Sequence, residues 1–215
     1  MDVSHIGVVP GTRSETGWGS RLVIVMAALL AVAFFAAFAL PYLTLRPEAL
    51  ARYLSRREWL LVHVASGAIA LLVGPVQLWL GVSRRAMHVH RWLGLTYVTG
   101  VGIGSVAAFY LATHTDLGWG FGTGISGLGL AWIITTGLAV AAIRRGLIEQ
   151  HREWMIRSYV VTFAFVTFRA LWAALQAAGI GTLQEQLAAS SWFCWALPLL
   201  ITEAMVQGRR IFGAR

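Results

Sequence analysis

The chain contains no lysine: all 17 of its basic residues are arginine. That excludes mechanisms built on a lysine Schiff base, including a covalently held retinal or pyridoxal phosphate. Cysteine is nearly absent as well. Cys194 stands alone inside an apolar run, so the chain can form neither an internal disulfide framework nor a cysteine metal site. Nothing in the sequence resembles a hydrolase triad, a phosphate loop or a two-carboxylate site. Charge of either sign is scarce, at 12% of residues against the roughly 25% typical of soluble domains. By contrast, 58% of residues are hydrophobic and the mean hydropathy is +0.69. The net charge of +8 does not point to nucleic acid, because the arginines flank apolar runs instead of forming a soluble basic face. Anchoring and orientation in a bilayer account for them.

The apolar runs predict an all-α polytopic membrane protein of six spans, with spans two to five forming the core bundle. They cover Leu22–Leu45, Trp59–Ser83, Trp92–Ala112, Gly122–Ile143, Ser158–Ala178 with one arginine inside, and the shorter Leu187–Thr202. Most reach the roughly 20 residues that cross a bilayer. The first run exceeds the 7–15 residues, roughly, of a signal-peptide core, so it is expected to remain in the mature protein. Residues 1–21 read as a mobile tail, 22–207 as the membrane domain and 208–215 as a basic tail.

Arginines cluster between spans two and three (Arg84, Arg85, Arg91), between four and five (Arg144, Arg145, Arg152, Arg157) and after span six (Arg209, Arg210, Arg215). The positive-inside rule puts these regions, and both termini, in the cytoplasm. The first loop, "RPEALARYLSRREW", carries four arginines on the side expected to be outside. It reads as an amphipathic surface helix with Pro47 in its first turn, Leu50, Tyr53 and Leu54 toward lipid, and its arginines at headgroups.

Because lipid is as apolar as leucine, polar and small residues identify the inward faces. In span two, His63, Gly67, Ala70, Gly74, Gln77 and Gly81 recur at helical spacing. Span three gives His90, Gly94, Tyr97, Gly104 and Ala108. Span five gives His151, Met155, Ser158, Thr162, Arg169, Ala173 and Gln176. These stripes predict one polar seam through the bundle. Arg169 is its most demanding member, since a mid-span arginine costs about 2.5–3.5 kcal/mol and needs an interior partner. Backbone carbonyls, Gln176 or an anionic ligand are the candidates, while Glu203 is placed to pair with Arg157, Arg91 or Arg152.

Three stretches, "HVASGAIALLVGPVQLWLG", "HRWLGLTYV" and "HREWMIRSYVVTFAFVTFR", resemble the bacterial predicted-membrane-protein family labelled domain of unknown function 2306. The likeness runs from His63 to Arg169. It marks His63, Gln77, His90, Gly94, Tyr97, Trp132, His151, Trp154, Met155, Arg157 and Arg169. It implies a bacterial cytoplasmic (inner) membrane location and supplies no reaction.

Two readings of the site remain open. In the first, His90 and His151 are axial ligands of a b-type haem used for electron transfer, with Arg91, Arg152 or Arg157 holding its propionates. In the second, the protein is a cofactor-free transporter or membrane subunit. Helices three and five then bind an anionic lipid or small acid at their N-termini, where dipole, free N–H groups and arginine favour negative charge. His63 reads as an interior hydrogen-bonding histidine, His88 as interfacial, His114 as loop and His5 as tail. The outer faces can meet lipid, another membrane protein or a second copy of the chain.

Overall fold

The computed structural model describes residues 18–213. In chain order its elements are α1 (Trp18–Phe34), a π-helical turn (Phe35–Ala39), α2 (Leu40–Leu43), α3 (Pro47–Leu50), a 3₁₀ stretch (Ala51–Arg56), α4 (Arg57–Ser83), α5 (Met87–Thr113), α6 (Trp119–Arg144), α7 (Ile148–Thr162), α8 (Ala164–Ala178) and α9 (Leu183–Phe212). No strand occurs among the described residues. Five helical segments are long and apolar enough to cross a membrane, and α7 with α8 makes a sixth if that bent pair is one span. The protein is thus an all-α polytopic membrane protein. The expected N-terminal tail lies mostly outside the described residues, although helix already begins at Trp18. At the other end α9 runs to Phe212, so most of the expected basic tail is helical.

Proline shapes two of these helices. Pro41 has no N–H to donate and its ring crowds the preceding turn. That turn is widened into π geometry, with the Leu40 N–H reaching Phe35 O. Pro75 sits buried inside α4 and leaves the Leu71 carbonyl without its helical donor. Tyr159 of α7 supplies the missing bond, its hydroxyl donating to Leu71 O at 3.2 Å. Gly74 makes this approach feasible, because a Cβ there would overlap the Tyr159 ring. Such substitution for a lost backbone donor is what a proline inside a membrane helix requires.

The fifth span starts at Ile148, well before its apolar run, because the polar first turns of α7 lie at the bundle end where water or headgroups can solvate them. It then bends by 41° at Phe163. No proline or glycine lies at the break. The Thr162 hydroxyl bonds back to Ser158 O at 2.9 Å, and this back-bonding bends helices. Gly179, in the left-handed region at φ 64°, ends α8 as its C-cap. Thr182 and Glu185 then open α9 with a reciprocal capping box.

In packing, α4 lies along α5, α6 along α7, and α9 against α6 and α8, while α1 rests mainly on α4. The buried centre comprises Ala70, Tyr97, Val101, Leu128, Trp132, Tyr159, Val161, Ala164 and Cys194. Arg84, Arg85, Arg91, Arg144, Arg145, Arg152, Arg209 and Arg210 are all exposed. They mark one arginine-rich end of the bundle, opposite the far end where α4 and α6 begin.

The first loop departs from expectation. Leu50 is buried and Tyr53 packs edge-on against Tyr42 with ring centroids 6.5 Å apart, so neither faces lipid. The chain is not one regular helix here: it leaves helical geometry at Tyr53, at φ −115° and ψ 18°, so the spacing that would group Leu50, Tyr53 and Leu54 on one face is lost. Of the three, Leu54 is the one left exposed.

Candidate functional site

Four buried hydroxyls form a continuous chain through the middle of the bundle. Thr136 of α6 meets Ser158 of α7 at 2.7 Å, Ser158 meets Tyr97 of α5 at 2.8 Å, and Tyr97 meets Thr162 of α7 at 2.7 Å. The Trp132 indole donates to Thr162 Oγ1, also at 2.7 Å. Proton directions follow from the ends. Thr162 spends its own proton on Ser158 O, so its oxygen must accept from Tyr97, which accepts from Ser158, which accepts from Thr136. Every proton in the run therefore has an acceptor. The chain ties α5, α6 and α7 together as a polar lock.

Toward the arginine-rich end, His90 and His151 occupy the fourth positions of α5 and α7. Each backbone N–H there makes a first helical bond, to Ala86 O and Leu147 O. The His151 ring bonds Ala139 O through Nδ1 at 2.9 Å. A carbonyl only accepts, so Nδ1 carries the proton and Nε2 holds a lone pair. The His90 ring lies against Gly81 of α4, and its Nδ1 is buried without a partner among the described residues. Gln77 donates to His90 O at 2.7 Å, while its own Oε1 is likewise unpartnered. A Cβ on Gly94 would come within 3.0 Å of the Gln77 amide, so that glycine makes room for it. The two histidines are close enough to act electrostatically on each other.

Behind them, Arg157 is buried and ion-paired with Glu203 of α9, its Nε donating at 2.8 Å and its Nη2 to the same oxygen. Glu153 is 3.8 Å from Nη1 and also pairs with Arg210. Trp154 stacks on the Arg157 guanidinium at 4.7 Å. Arg157 is thus a clamp between α7 and α9 and not a headgroup anchor. Arg91 is exposed, and Arg152 is an exposed residue paired with Glu149 at 3.1 Å.

A cavity of about 250 Å³ enters the bundle from the far end. It reaches down to Trp132, the donor end of the hydroxyl lock. Aromatic and aliphatic side chains of α1, α4, α5, α6 and α8 make most of its wall, with Arg56, Asp116 and Arg169 as its charged members and His63 as its histidine. Arg56 pairs with Asp116 at 3.0 Å. His63 bonds Gly104 O through Nδ1 at 3.0 Å, leaving Nε2 as its remaining hydrogen-bonding atom. Arg169 has no hydrogen bond or ion pair among the described residues. Its guanidinium lies 5.2 Å from the centroid of Phe38 and 5.7 Å from that of Trp172.

Residues 60–206 match a family described as a predicted membrane protein, DUF2306. The chain belongs to the DUF2306 family. The match holds both histidines, the hydroxyl lock, the Arg157–Glu203 clamp and Arg169, while α1 lies outside it. No curated protein and no solved structure matches the chain.

The structure brings Tyr97, Ser158, Thr162 and the family-marked Trp132 into direct contact, with Met155 packed beside them. Thr136 completes the lock and was legible only as a hydroxyl one turn beyond Trp132. The single continuous seam divides in two, however. His151 serves the arginine-rich end, and Arg169 serves the cavity, because the bend at Phe163 redirects α8. Gln176 is exposed and does not belong to the seam; it lies past the bend, three residues before the Gly179 cap. Arg169 pairs neither with Gln176 nor with a backbone carbonyl, and aromatic faces surround it instead. Among the described residues no group of three or more His, Cys, Asp or Glu side chains is arranged to hold a metal ion.

Proposed function

We propose that this DUF2306 protein is a membrane-embedded binding protein for a small acid, which it holds in the far-end cavity with Arg169 as the anchor. The observation that carries the reading is a guanidinium on the wall of a mostly apolar cavity with no hydrogen-bonding partner. Aromatic faces attract a cation by about 0.5–2 kcal/mol, yet they leave its five N–H donors unused. A carboxylate or phosphate would accept two of them in a fork. His63 supplies a second polar atom on the same wall. Relative to the N-termini of α5 and α7, the cavity offers enclosure, and Arg91 and Arg152 at those N-termini are exposed.

The test is ligand-dependent stabilisation of the purified full chain in neutral detergent. Acetate, benzoate and phosphate are added in turn, and the melting temperature is followed for wild type and Arg169→Gln. At least one acid should raise it for wild type and not for the variant. If none stabilises wild type, or if the variant responds equally, the reading is wrong.

A b-type haem held by His90 and His151 is the second reading. Its support is the Nδ1 bond from His151 to Ala139 O, which leaves Nε2 free to ligate as in a metal-bound histidine, together with the unpartnered Nδ1 of His90. Haem would supply one-electron chemistry. Protein expressed with ample haem supply and purified in mild detergent should then show a Soret band that His151→Ala removes. Colourless wild-type protein refutes it.

A further inference from the structure

Resting on the small-acid reading, we infer that the acid is a long single-chain carboxylate that reaches the cavity sideways from the bilayer, between α1 and α8. The argument begins with the two sides of the cavity. Its water-facing side is closed by partnered groups, the Arg56–Asp116 ion pair and the Tyr42–Tyr53 edge contact. Its bilayer-facing side is closed by little. There α1 contributes Phe34, the π-helical turn that continues it contributes Phe38, and α8 contributes Phe168 and Arg169. The two helices touch only sparsely, α1 being held by α4. The contact that spans the gap is the Arg169 guanidinium over the Phe38 ring. Little besides that contact joins α1 to α8, whereas the loops at the water-facing side are joined to each other by the ion pair and the edge contact together, so the side toward lipid is the one that opens.

The shape of α1 fits this role. Its π-helical turn, Phe35–Ala39, falls at the cavity wall and carries Phe38. Such wide turns leave the hydrogen-bond ladder irregular and recur at functional sites.

Volume and charge then select the ligand. At about 250 Å³ the cavity is at the small end of ligand pockets, which run from roughly 300 to 1,000 Å³. A carboxylate head with a few methylenes fills that space, and the bulk of a two-chain lipid does not. The remaining chain would lie in the α1–α8 gap among Phe34, Phe38 and Phe168, where apolar surface is available. Arg169, at the inner edge of that gap, takes the head.

The experiment uses the full chain in phosphatidylcholine nanodiscs, with palmitate, acetate and a palmitate bearing a mid-chain diazirine as probes. Palmitate should raise the melting temperature at concentrations where acetate has no effect. After illumination the diazirine should be recovered on peptides from α1 around Phe38 and from α8 around Phe168. Arg169→Gln should weaken palmitate binding by about tenfold or more, the loss expected of a charge-assisted pair. Arg169→Lys, which keeps the charge, should retain part of it and serves as the folding control. If acetate stabilises the protein as strongly as palmitate, or if the label falls on the loop around Asp116, the lateral route is overturned while the anion site stands. Unchanged palmitate binding in Arg169→Gln overturns the head-group assignment. If neither acid stabilises the protein, both readings fall together.

Discussion

Replacing Thr162 by valine keeps the side chain's shape and removes one hydroxyl, and the lock predicts an effect larger than that of Tyr97→Phe. In wild type Thr162 Oγ1 accepts from both Trp132 and Tyr97. After Thr162→Val the Tyr97 hydroxyl can turn to Ser158 and the Ser158 proton to Thr136, which displaces only the Thr136 proton, and that can bond back to a carbonyl one turn earlier in its own helix. Trp132 has a poorer recourse. Its indole N–H is buried, with Trp132 only 2% exposed, and the Tyr97 oxygen, the other acceptor near it, does not meet it in good hydrogen-bonding geometry as Thr162 does. An orphaned buried donor costs about 1–3 kcal/mol, and an interhelical bond lost in a membrane protein adds about 0.6, for a total of roughly 2–4. Tyr97→Phe breaks two bonds but orphans no buried N–H, because Trp132 keeps Thr162; the Ser158 proton turns to Thr136, and the Thr136 proton can bond back to a carbonyl one turn earlier in its own helix. Its cost is roughly 1 kcal/mol. Trp132→Phe combined with Thr162→Val removes donor and acceptor together, so the pair should cost clearly less than the sum of the two single changes. Reversible unfolding by sodium dodecyl sulfate in mixed micelles, followed by circular dichroism, measures all four variants. A Tyr97→Phe penalty equal to or above that of Thr162→Val, or strict additivity of the pair, would refute the proton directions assigned to the lock.

Glu203→Gln should cost about 1–3 kcal/mol in the same titration, because it strips the main counter-charge from an Arg157 side chain that is 6% exposed; Arg152→Ala, which breaks an exposed pair, should cost no more than about 1. Equal effects would show that the clamp contributes nothing special. Gly74→Ala must displace the Tyr159 ring and should destabilise by about 1–3 kcal/mol. Gly137→Ala, with nothing near the new Cβ, should be neutral or stabilising by up to about 1, and a reversal of that order would contradict the packing of α4 on α7. Reporter fusions at Arg145 and Glu185 should read cytoplasm and exterior respectively, as the arginine bias requires; the opposite result inverts the sidedness of both ends.

Hydropathy made the spans legible because a membrane helix must be apolar over its length whatever it packs against. The polar residues of span five and Tyr97 marked the lock for a related reason: a hydroxyl in lipid has to find a partner, so its presence alone indicates an inward face. Glu203 likewise stood out as a partner for Arg157 through scarcity of acid. The apolar run of span five starts only at Ser158, but the stripe carried the helix back to His151, close to its observed start at Ile148, since a helix can begin in its polar section before it enters lipid. The bend at Phe163 left no proline or glycine to read, being set by a threonine hydroxyl competing for a backbone carbonyl. Beyond that bend helical periodicity no longer carries a face forward, which is why Gln176 was assigned inward and lies outside. The neighbours of Arg169 were hidden for a further reason: α1 is apolar all round, and nothing in its sequence tells which phenylalanine turns toward another helix.

That uniform first helix has a consequence for how the molecule can be altered. Since α1 lies outside residues 60–206 and leans chiefly on α4, it behaves as an interchangeable panel set against a self-bonded frame. Exchanging its aromatic residues would recut the cavity without touching the hydroxyls and ion pairs that hold the other helices in register. Ligand preference in this protein can therefore vary independently of the stability of its core.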